Sequence, residues 1–261
     1  MKALLKKIIP LLNCIFCEGF FVAKTDLFVC LFKPIIQKMQ GLKYTVDIVM
    51  CIDATGSMQP IIDKVKDNAL KFYEDLNQVM EEKGKAIDTL RVRIIAFRDY
   101  YYDGDESMVT SDFFELPDQK TQFKNFVDQI TADGGGDEPE TGLEAIALAI
   151  KSPWNKTGDK KRQIVVVWTD ASAHPLEKEA SAKPANYPED IPGNFDDLTD
   201  LWDGQYMNRA AKRLIVYAPD AYAWTDIANH WENTIQYPSK AGEGLNEVDY
   251  QTILDAIASS V

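Results

Sequence analysis

The fold predicted for this chain depends on one stretch, YTVDIVMCIDATGSM at residues 44–58. Its apolar run at 46–52 is broken only by Asp47, and such a run rich in Val and Ile is typical of a strand buried on both faces. Behind the stretch, apolar residues recur as on one face of a helix: Ile61, Val65, Ala69, Phe72, Leu76 and Val79. The pattern predicts a strand, a tight polar turn and a long amphipathic helix.

Three oxygen-bearing side chains stand in the predicted turn, Asp53, Thr55 and Ser57. In open α/β sheets, ligands bind where the carboxyl ends of parallel strands meet the N-termini of the following helices. A carboxylate and two hydroxyls are ligands that Mg²⁺ and similar hard cations prefer. The turn therefore predicts a cation site at the end of the first strand.

The same alternation of strands and helices continues to the end of the chain. It predicts a doubly wound, Rossmann-like α/β fold with a mostly parallel sheet, one antiparallel edge strand and helices on both faces. Further strands are predicted at 90–97, 108–116 (the antiparallel edge), 164–168, 214–217 and 234–237, and further helices at 118–131, 143–150, 201–212, 225–233 and 249–259.

Charge and length limit the class of protein. The 261 residues can hold one sizeable α/β domain or two small ones. The net charge of −13 argues against nucleic-acid binding, which needs clustered Lys and Arg. Residues 1–43 carry seven Lys against Glu18 and Asp26, a net +5, which leaves −18 for residues 44–261. The predicted domain is strongly acidic.

Residues 1–42 are interpreted as an N-terminal extension, and residues 43–261 as the domain. Three interpretations of the extension stay open: a targeting or membrane-associating segment, an extra helix, or translated sequence upstream of a true start at Met39. A cytoplasmic location is expected, with secretion or membrane association if residues 1–25 act as a signal. Membrane contact is expected only if residues 1–42 are retained.

A second acid stands in the same kind of position as Asp53. Asp170 follows the apolar run IVVVW at 164–168, and it lies 117 positions after Asp53. If these two strands are neighbours at the topological switch point, their carboxylates face each other, which is costly unless a cation lies between them. The loop ADGGGDEPE at 132–140 adds three glycines that permit close backbone approach, and Asp137 is the first acid after them.

These motifs resemble the von Willebrand factor A (vWA) family, which includes the integrin I domains. DATGSM, with Asp53, Thr55 and Ser57, and Asp170 in VVVWTDA are similar to its metal-ion-dependent adhesion site (MIDAS), written D-x-S/T-x-S, then Thr, then Asp. DEPETGLEAI and RDYYYD resemble the hemicentin-like and α-kinase-associated branch. The resemblance covers residues 43–261. It implies the vWA fold and a non-enzymatic protein-binding module that uses Mg²⁺, with Mn²⁺ or Ca²⁺ as alternatives.

The resemblance also implies a protein partner whose acidic side chain completes the metal shell. One residue departs from the family pattern, because the position of the coordinating Thr is Asp137 here. With Asp137 as a ligand, three carboxylates surround the cation and weaken its attraction for an acidic partner. We therefore expect a site that holds its cation firmly and depends on flanking loops for partner affinity.

Two other functions compete with the binding module. The first is a metal-dependent hydrolase or phosphotransferase that uses Asp53, although aspartate-nucleophile phosphatases need a second Asp where Thr55 stands. The second is a structural domain whose metal only stabilises the fold. Around the site, the three tyrosines at 100–102 are interpreted either as a recognition rim or as one inward-packed and two solvated side chains. His174 is either a loop residue or a residue that reaches the cleft.

Overall fold

The computed structural model describes residues 42–261 except 137, 159, 178–182 and 186. The predictions for residues 1–41 lie outside the described residues, so the boundary between extension and domain stays a prediction. Asp137 also lies outside them, and its assignment as a ligand stays a prediction.

The described elements follow the predicted alternation. The strands are β1 (Leu42–Asp53), β2 (Lys85–Phe97), β3 (Met108–Thr110), β4 (Phe114–Leu116), β5 (Lys161–Trp168), β6 (Lys212–Ala218) and β7 (Thr234–Pro238). The α-helices are α1 (Gln59–Asn68), α2 (Phe72–Glu82), α3 (Lys120–Gln129), α4 (Gly142–Ile150), α5 (Phe195–Asp203), α6 (Trp224–His230) and α7 (Tyr250–Ser260). Short 3-10 helices lie at Gly56–Met58 and Gly104–Glu106. None of the helices within the described part of the chain is long and apolar enough to cross a membrane.

The strands form one mixed sheet in the order β3-β2-β1-β5-β6-β7, with β4 also paired to β2. β1, β2, β5, β6 and β7 are parallel, whereas β3 and β4 run antiparallel to β2. In the register of β1 with its two neighbours, Asp53 lies opposite Phe97, and Ile52 lies opposite Trp168. The predicted α/β fold is confirmed, and β1 and β5 are adjacent at the switch point, as expected.

The apolar run of β1 is buried on both faces of the sheet. Ile48, Met50 and Ile52 pack into a core with the side chains of α1, α2, α3 and α7. Val49 and Cys51 pack into a second core with α4, α5 and α6. Full burial of one such side chain contributes about 1.5–3 kcal/mol. Helices covering both faces of the sheet therefore explain why residues 48–52 are all apolar.

The prediction of one long helix after the site is wrong, because the structure has two helices there, α1 and α2. The Asn68 side chain donates to the carbonyl oxygen of Lys64 at 2.6 Å, and the backbone N–H of Lys71 donates to the Asn68 carbonyl oxygen at 3.1 Å. An Asn that bonds nearby backbone groups competes with helical hydrogen bonding. The helix therefore stops at Asn68 and restarts at Phe72.

Two further predicted elements differ in extent or position, apart from β2 and β5, which begin earlier than predicted, at Lys85 and Lys161. The strand predicted at 108–116 is split into β3 and β4, because Ser111 Oγ accepts from the Ile94 N–H and donates to the Asp112 carbonyl oxygen. The helix predicted at 201–212 is instead α5, which begins after Asn194. The Asn194 side chain caps it by accepting from the Asp197 N–H at 2.7 Å.

Candidate functional site

A cleft of about 260 Å³ opens at the carboxyl edge of the sheet, where β1 and β5 end. Backbone glycines and oxygen-bearing side chains make up most of its lining. The lining residues are Thr55, Gly56, Ser57, Gly134, Gly135, Glu138, Glu140, Asp170, Ala171 and Gly242. The cleft therefore lies where the sequence predicted a ligand site.

Asp53 lies beneath this cleft and has no solvent-exposed surface. Its Oδ1 accepts from the Thr55 N–H at 2.9 Å and the Thr55 hydroxyl at 2.7 Å, and its Oδ2 accepts from the Thr169 hydroxyl at 2.6 Å. Burial raises the pKa of the Asp53 carboxyl from 3.8 to about 6; the hydrogen bonds from Thr169 and Thr55 lower it, and the charge of Asp170 raises it. Asp53 is thus a rigidly oriented carboxyl whose negative charge is costly in this environment.

Asp170 meets Ser57 across the cleft. The Ser57 hydroxyl donates to Asp170 Oδ1 at 2.9 Å, and the Gly244 N–H donates to Asp170 Oδ2 at 2.7 Å. The Gly242 N–H also donates to the carbonyl oxygen of Asp170 at 3.0 Å. The structure therefore brings together the end of β1, the end of β5 and the segment before α7.

The glycine-rich loop closes one side of the cleft. Gly135 has a φ of +71°, and a Cβ added to it would lie 2.4 Å from Thr55 Cγ2 and 2.7 Å from Glu140 Oε1. The Gly56 N–H donates to the Gly134 carbonyl oxygen at 3.5 Å. The predicted close backbone approach is confirmed, since a side chain at Gly135 would collide with the site.

The sequence interpretation assigned no individual function to two residues of this region, Arg98 and Glu140. Arg98 is buried, and its guanidinium donates to the carbonyl oxygens of Ala54 at 3.1 Å, Glu106 at 2.7 Å and Thr131 at 2.8 Å. It thereby fixes the loops after β1, β2 and α3 to one another. Its sequence signals are its position directly after β2 and its place at the start of the motif RDYYYD.

Glu140 is the second residue without a predicted role. It lines the cleft, is 4% exposed, and is held by backbone pairing with the segment after β5. Its neighbour Glu138 also lines the cleft but is exposed, and Glu138 Oε1 accepts from the Ser172 N–H at 2.7 Å. Sequence reasoning treated both acids only as part of a family motif.

The three tyrosines match the interpretation of one inward-packed and two solvated side chains. Tyr100 packs inward with 3% of its surface exposed, whereas Tyr101 and Tyr102 are 40% and 60% exposed. His174 does not line the cleft; its Nε2 lies 3.4 Å from Oδ1 of the buried Asp99, and its ring lies 5.0 Å from the Tyr101 ring. His174 is therefore a contact between two loops beside the cleft.

The donors at this cleft fit a hard cation that keeps part of its water shell. Within residues 42–261, apart from the gaps given above, no group of three His, Cys, Asp or Glu side chains is arranged to hold a metal ion. The donors are mixed instead: the hydroxyls of Thr55 and Ser57 and the carboxylates of Asp53 and Asp170. All are oxygens, and the cleft leaves room for water, which matches the preference of Mg²⁺.

Comparison with known proteins gives a consistent assignment of the fold. Residues 47–185, more than half of the chain, match the family model of the von Willebrand factor A domain. The chain is 28% identical over 159 residues to Alpha-protein kinase vwkA of Dictyostelium discoideum, an alignment that covers 60% of this chain and 23% of the kinase.

The pilus adhesin SpaC of Lactobacillus rhamnosus GG is similar in structure. It matches with a TM-score of 0.50 at 11% identity, over 83% of this chain and 30% of the adhesin. At that identity the likeness shows the fold alone. The chain spans less than a third of the length of either relative. From the extent of the family match and the sheet that accompanies it, we conclude that this chain belongs to the von Willebrand factor A domain family.

Proposed function

We propose that the chain is a divalent-cation-dependent protein-binding module with a MIDAS in the cleft. Asp53, Thr55, Ser57 and Asp170 hold the cation, which is Mg²⁺, and Asp137 is a further candidate ligand from its place in the sequence. When bound, the cation supplies a Lewis-acidic point for an oxygen of an acidic side chain on the partner protein. The motif DEPETGLEAI and the similarity to vwkA support the α-kinase-associated branch.

The convergence of Ser57 and Asp170 is the observation that carries this proposal. Their side chains come from opposite sides of the switch point and lie 2.9 Å apart at the floor of an open cleft. Domains of this family are typically modules for protein interaction or adhesion, which supports a binding role. The exposed Tyr101 and Tyr102 rings on a neighbouring loop suit a recognition surface.

The chain's own residues have separate tasks in this proposal. The hydroxyls of Thr55 and Thr169 hold the Asp53 carboxylate in one orientation. The carboxylate therefore loses little conformational entropy when the cation binds. Ser57 is exposed at the cleft, where a partner group can approach, and Asp170 lines the same cleft but is buried. The glycine-rich loop leaves that approach open because it carries no side chain at Gly135.

A phosphotransferase is less well supported by the same cleft. The described residues that line it include no Lys, Arg or His to bind a phosphate group or to move a proton. Its polar groups are carboxylates, hydroxyls and backbone amides, which suit cation binding and recognition.

Panning a phage-displayed peptide library on the domain tests the proposal. In Mg²⁺, we expect enriched peptides that are released by a chelator and that lose binding when one Asp or Glu is changed to Asn or Gln. The Ser57→Ala variant should fail to retain the same peptides. Peptides that bind equally well in chelator and to Ser57→Ala would contradict a cation-dependent binding site.

A further inference from the structure

We infer that His174 is a positioning residue for the exposed Tyr101 ring, and that it acts through a pH-dependent pairing with the buried carboxylate of Asp99. In acid, the charged imidazole holds the loop after β2 (residues 98–107) against the segment that follows β5, and loss of its proton releases that loop. The inference rests on the proposed function, in which Tyr101 belongs to the recognition surface, and it adds a regulation of that surface.

Asp99 is the fixed partner in this pair. Its side chain has no solvent-exposed surface, and its Oδ1 accepts from the Tyr101 N–H at 2.8 Å. Its own N–H donates to Asp103 Oδ2 at 3.0 Å, which holds the backbone of the loop. The buried charge is therefore bonded directly to the residue whose ring is 40% exposed beside the cleft.

His174 approaches the same carboxylate from the segment after β5. Its N–H donates to the Glu140 carbonyl oxygen at 2.8 Å, which fixes its backbone. Its Nε2 lies 3.4 Å from Asp99 Oδ1. Its ring lies edge-on to the Tyr101 ring, with 5.0 Å between the centroids and 62° between the planes. One side chain thus contacts both the buried carboxylate and the exposed ring.

The pairing of His174 with Asp99 is incomplete in the structure. His174 Nε2 and Asp99 Oδ2 are buried, and neither makes a hydrogen bond to any of the described residues. The separation of Nε2 and Oδ1 is within ion-pair distance, but the two groups are not aligned as a hydrogen bond. Buried polar atoms without partners are costly. A protonated imidazole carries an N–H on both nitrogens, so charging it supplies the proton for a charge-assisted hydrogen bond to Asp99.

Other acids around His174 add to this attraction. Glu140 belongs to the backbone segment bonded to His174, and Glu144 lies in the first turn of α4. Glu144 and Asp99 both act on Tyr101: burial raises the pKa of its hydroxyl, and the two charges raise it further. These negative charges attract an imidazolium and gain nothing from a neutral imidazole. Partial burial of the His174 ring opposes charging, and the paired carboxylate offsets that cost.

Two cations of this region have other partners. Arg98 directs its guanidinium at backbone carbonyl oxygens of three loops. Lys183 places its Nζ 4.9 Å from the centre of the Tyr187 ring, and the Tyr187 hydroxyl donates to Glu144 Oε1 at 2.9 Å. The Asp99 carboxylate therefore remains opposite His174.

The direction of the pH effect follows from this geometry. Stabilisation by an imidazolium–carboxylate pair is present in acid and is lost as the pH rises and the imidazole gives up its proton. Imidazole groups change charge between about pH 5 and pH 8. We therefore expect the Tyr101 backbone to be held more firmly at about pH 5.5 than at about pH 8.

His230 and Asp53 determine the controls. The chain has two histidines, and His230 is exposed at the end of α6, where its Nδ1 lies 2.8 Å from the Asp226 carbonyl oxygen. Burial raises the pKa of Asp53 to about 6, so its charge changes in the same range. Because Asp53 is present in every variant, comparison between variants removes its contribution.

The test measures hydrogen exchange of the Tyr101 amide by NMR in chelator-treated protein at about pH 5.5 and about pH 8, with each rate divided into that of an unstructured chain at the same pH. In wild type we expect this protection to be about fivefold or more higher in acid, because a hydrogen bond between charged groups is gained there. His174→Gln keeps an N–H donor that cannot be charged, and Asp99→Asn keeps the shape without the charge. In each, the two protections should agree within about twofold, whereas His230→Gln should behave as wild type.

The inference is overturned if protection of Tyr101 in wild type does not change with pH, or if the change survives in His174→Gln. An equal change at the Val166 amide in the core of β5 would overturn it too, because global stability would then explain the result. If one variant does not fold, the other decides. The measurement needs neither cation nor partner: failure of the peptide panning would remove the proposed function, whereas a pH-independent Tyr101 beside successful panning would remove only this inference.

Discussion

At the scale of single residues, the site is a set of short polar contacts between segments that are distant in the chain. Ser57 is exposed and donates to Asp170, whereas Asp53 is buried and accepts from Thr55 and Thr169. Ser57 and Asp53, the exposed and the buried candidate cation ligands, can therefore be tested separately. Only the buried side chain contributes much to packing.

Replacing Ser57 by Ala tests the exposed part of the site. We expect the affinity for Mg²⁺ to fall by about tenfold, because one oxygen donor is lost. The free energy of unfolding in chelator should fall by about 1–2 kcal/mol, since the exposed hydroxyl makes one hydrogen bond, to the buried Asp170 carboxylate.

Ser172→Ala is the control for this variant, because the backbone of Ser172 makes its hydrogen bonds to Glu138 and Glu140, and these remain after the substitution. Its affinity for Mg²⁺ should equal that of wild type. If Ser57→Ala binds Mg²⁺ as tightly as Ser172→Ala, Ser57 is not part of a cation site.

At the scale of elements, the glycine-rich loop and the segment before α7 determine the shape of the cleft. Gly135 and Gly84 have nearly the same φ, +71° and +70°, but a Cβ at Gly135 would collide with Thr55 whereas one at Gly84 would meet nothing within 4 Å. The two glycines therefore separate the cost of backbone strain from the cost of a collision.

Gly135→Ala should destabilise the domain by about 2–4 kcal/mol and weaken Mg²⁺ binding, because it adds overpacking to the strain of a positive φ. Gly84→Ala should cost only about 1–2 kcal/mol, the strain of a Cβ at positive φ, and leave Mg²⁺ binding unchanged. Urea denaturation and calorimetric titration measure the two effects. Equal losses of stability in both variants would contradict the close approach of Gly135 to Thr55.

Lys64 joins α1 to the segment before α7. Its ammonium donates to the carbonyl oxygens of Asn246 at 2.9 Å and Val248 at 2.5 Å. Lys64→Met should free this segment and cost about 1–3 kcal/mol of stability, because hydrogen bonds from a charged donor are lost.

Hydrogen exchange measures the local effect of Lys64→Met at the Gly244 N–H, which donates to Asp170 Oδ2 in the same segment. We expect its exchange to become faster relative to the Val166 amide in the core of β5. Unchanged protection at Gly244 would show that Lys64 does not hold the segment in place.

Particular elements show what the sequence could predict. β1 and β5 were predictable because strands covered on both faces need continuous apolar runs. The sequence left open whether the two strands are neighbours, and their pairing is the one that a switch point produces. The break at Asn68 and the role of Ser111 depend on side chains that compete for backbone hydrogen bonds, which periodicity does not detect. The burial of Glu140 arises from pairing with the segment after β5, a contact that spacing along the chain does not encode.

At the scale of the whole molecule, the middle of β1 and its carboxyl end have separate roles. In the middle of β1, the buried carboxylate of Asp47 accepts from Arg91 at 2.8 and 2.6 Å and from the Asn155 N–H at 2.6 Å. Asp47 precedes Asp53 by six residues, about 20 Å along an extended strand. Stability and cation binding should therefore respond independently to substitutions at these two acids.

Asp47→Ala should lower the free energy of unfolding by about 3 kcal/mol, because Arg91 and the Asn155 N–H lose a charged partner. The affinity for Mg²⁺ of the folded variant should equal that of wild type. Urea denaturation and titration at a temperature well below the Tm measure both. A loss of cation affinity in this variant would show that the middle of β1 is coupled to its carboxyl end.

The central claim is that the cleft binds a divalent cation through Asp53 and its neighbours. The most direct measurement is calorimetric titration of Mg²⁺ into chelator-treated wild type and into Asp53→Asn, with circular dichroism to establish that the variant is folded. The account predicts saturable binding at one site in wild type and none in the folded variant. No saturable binding in wild type, or binding of equal affinity in Asp53→Asn, would contradict it.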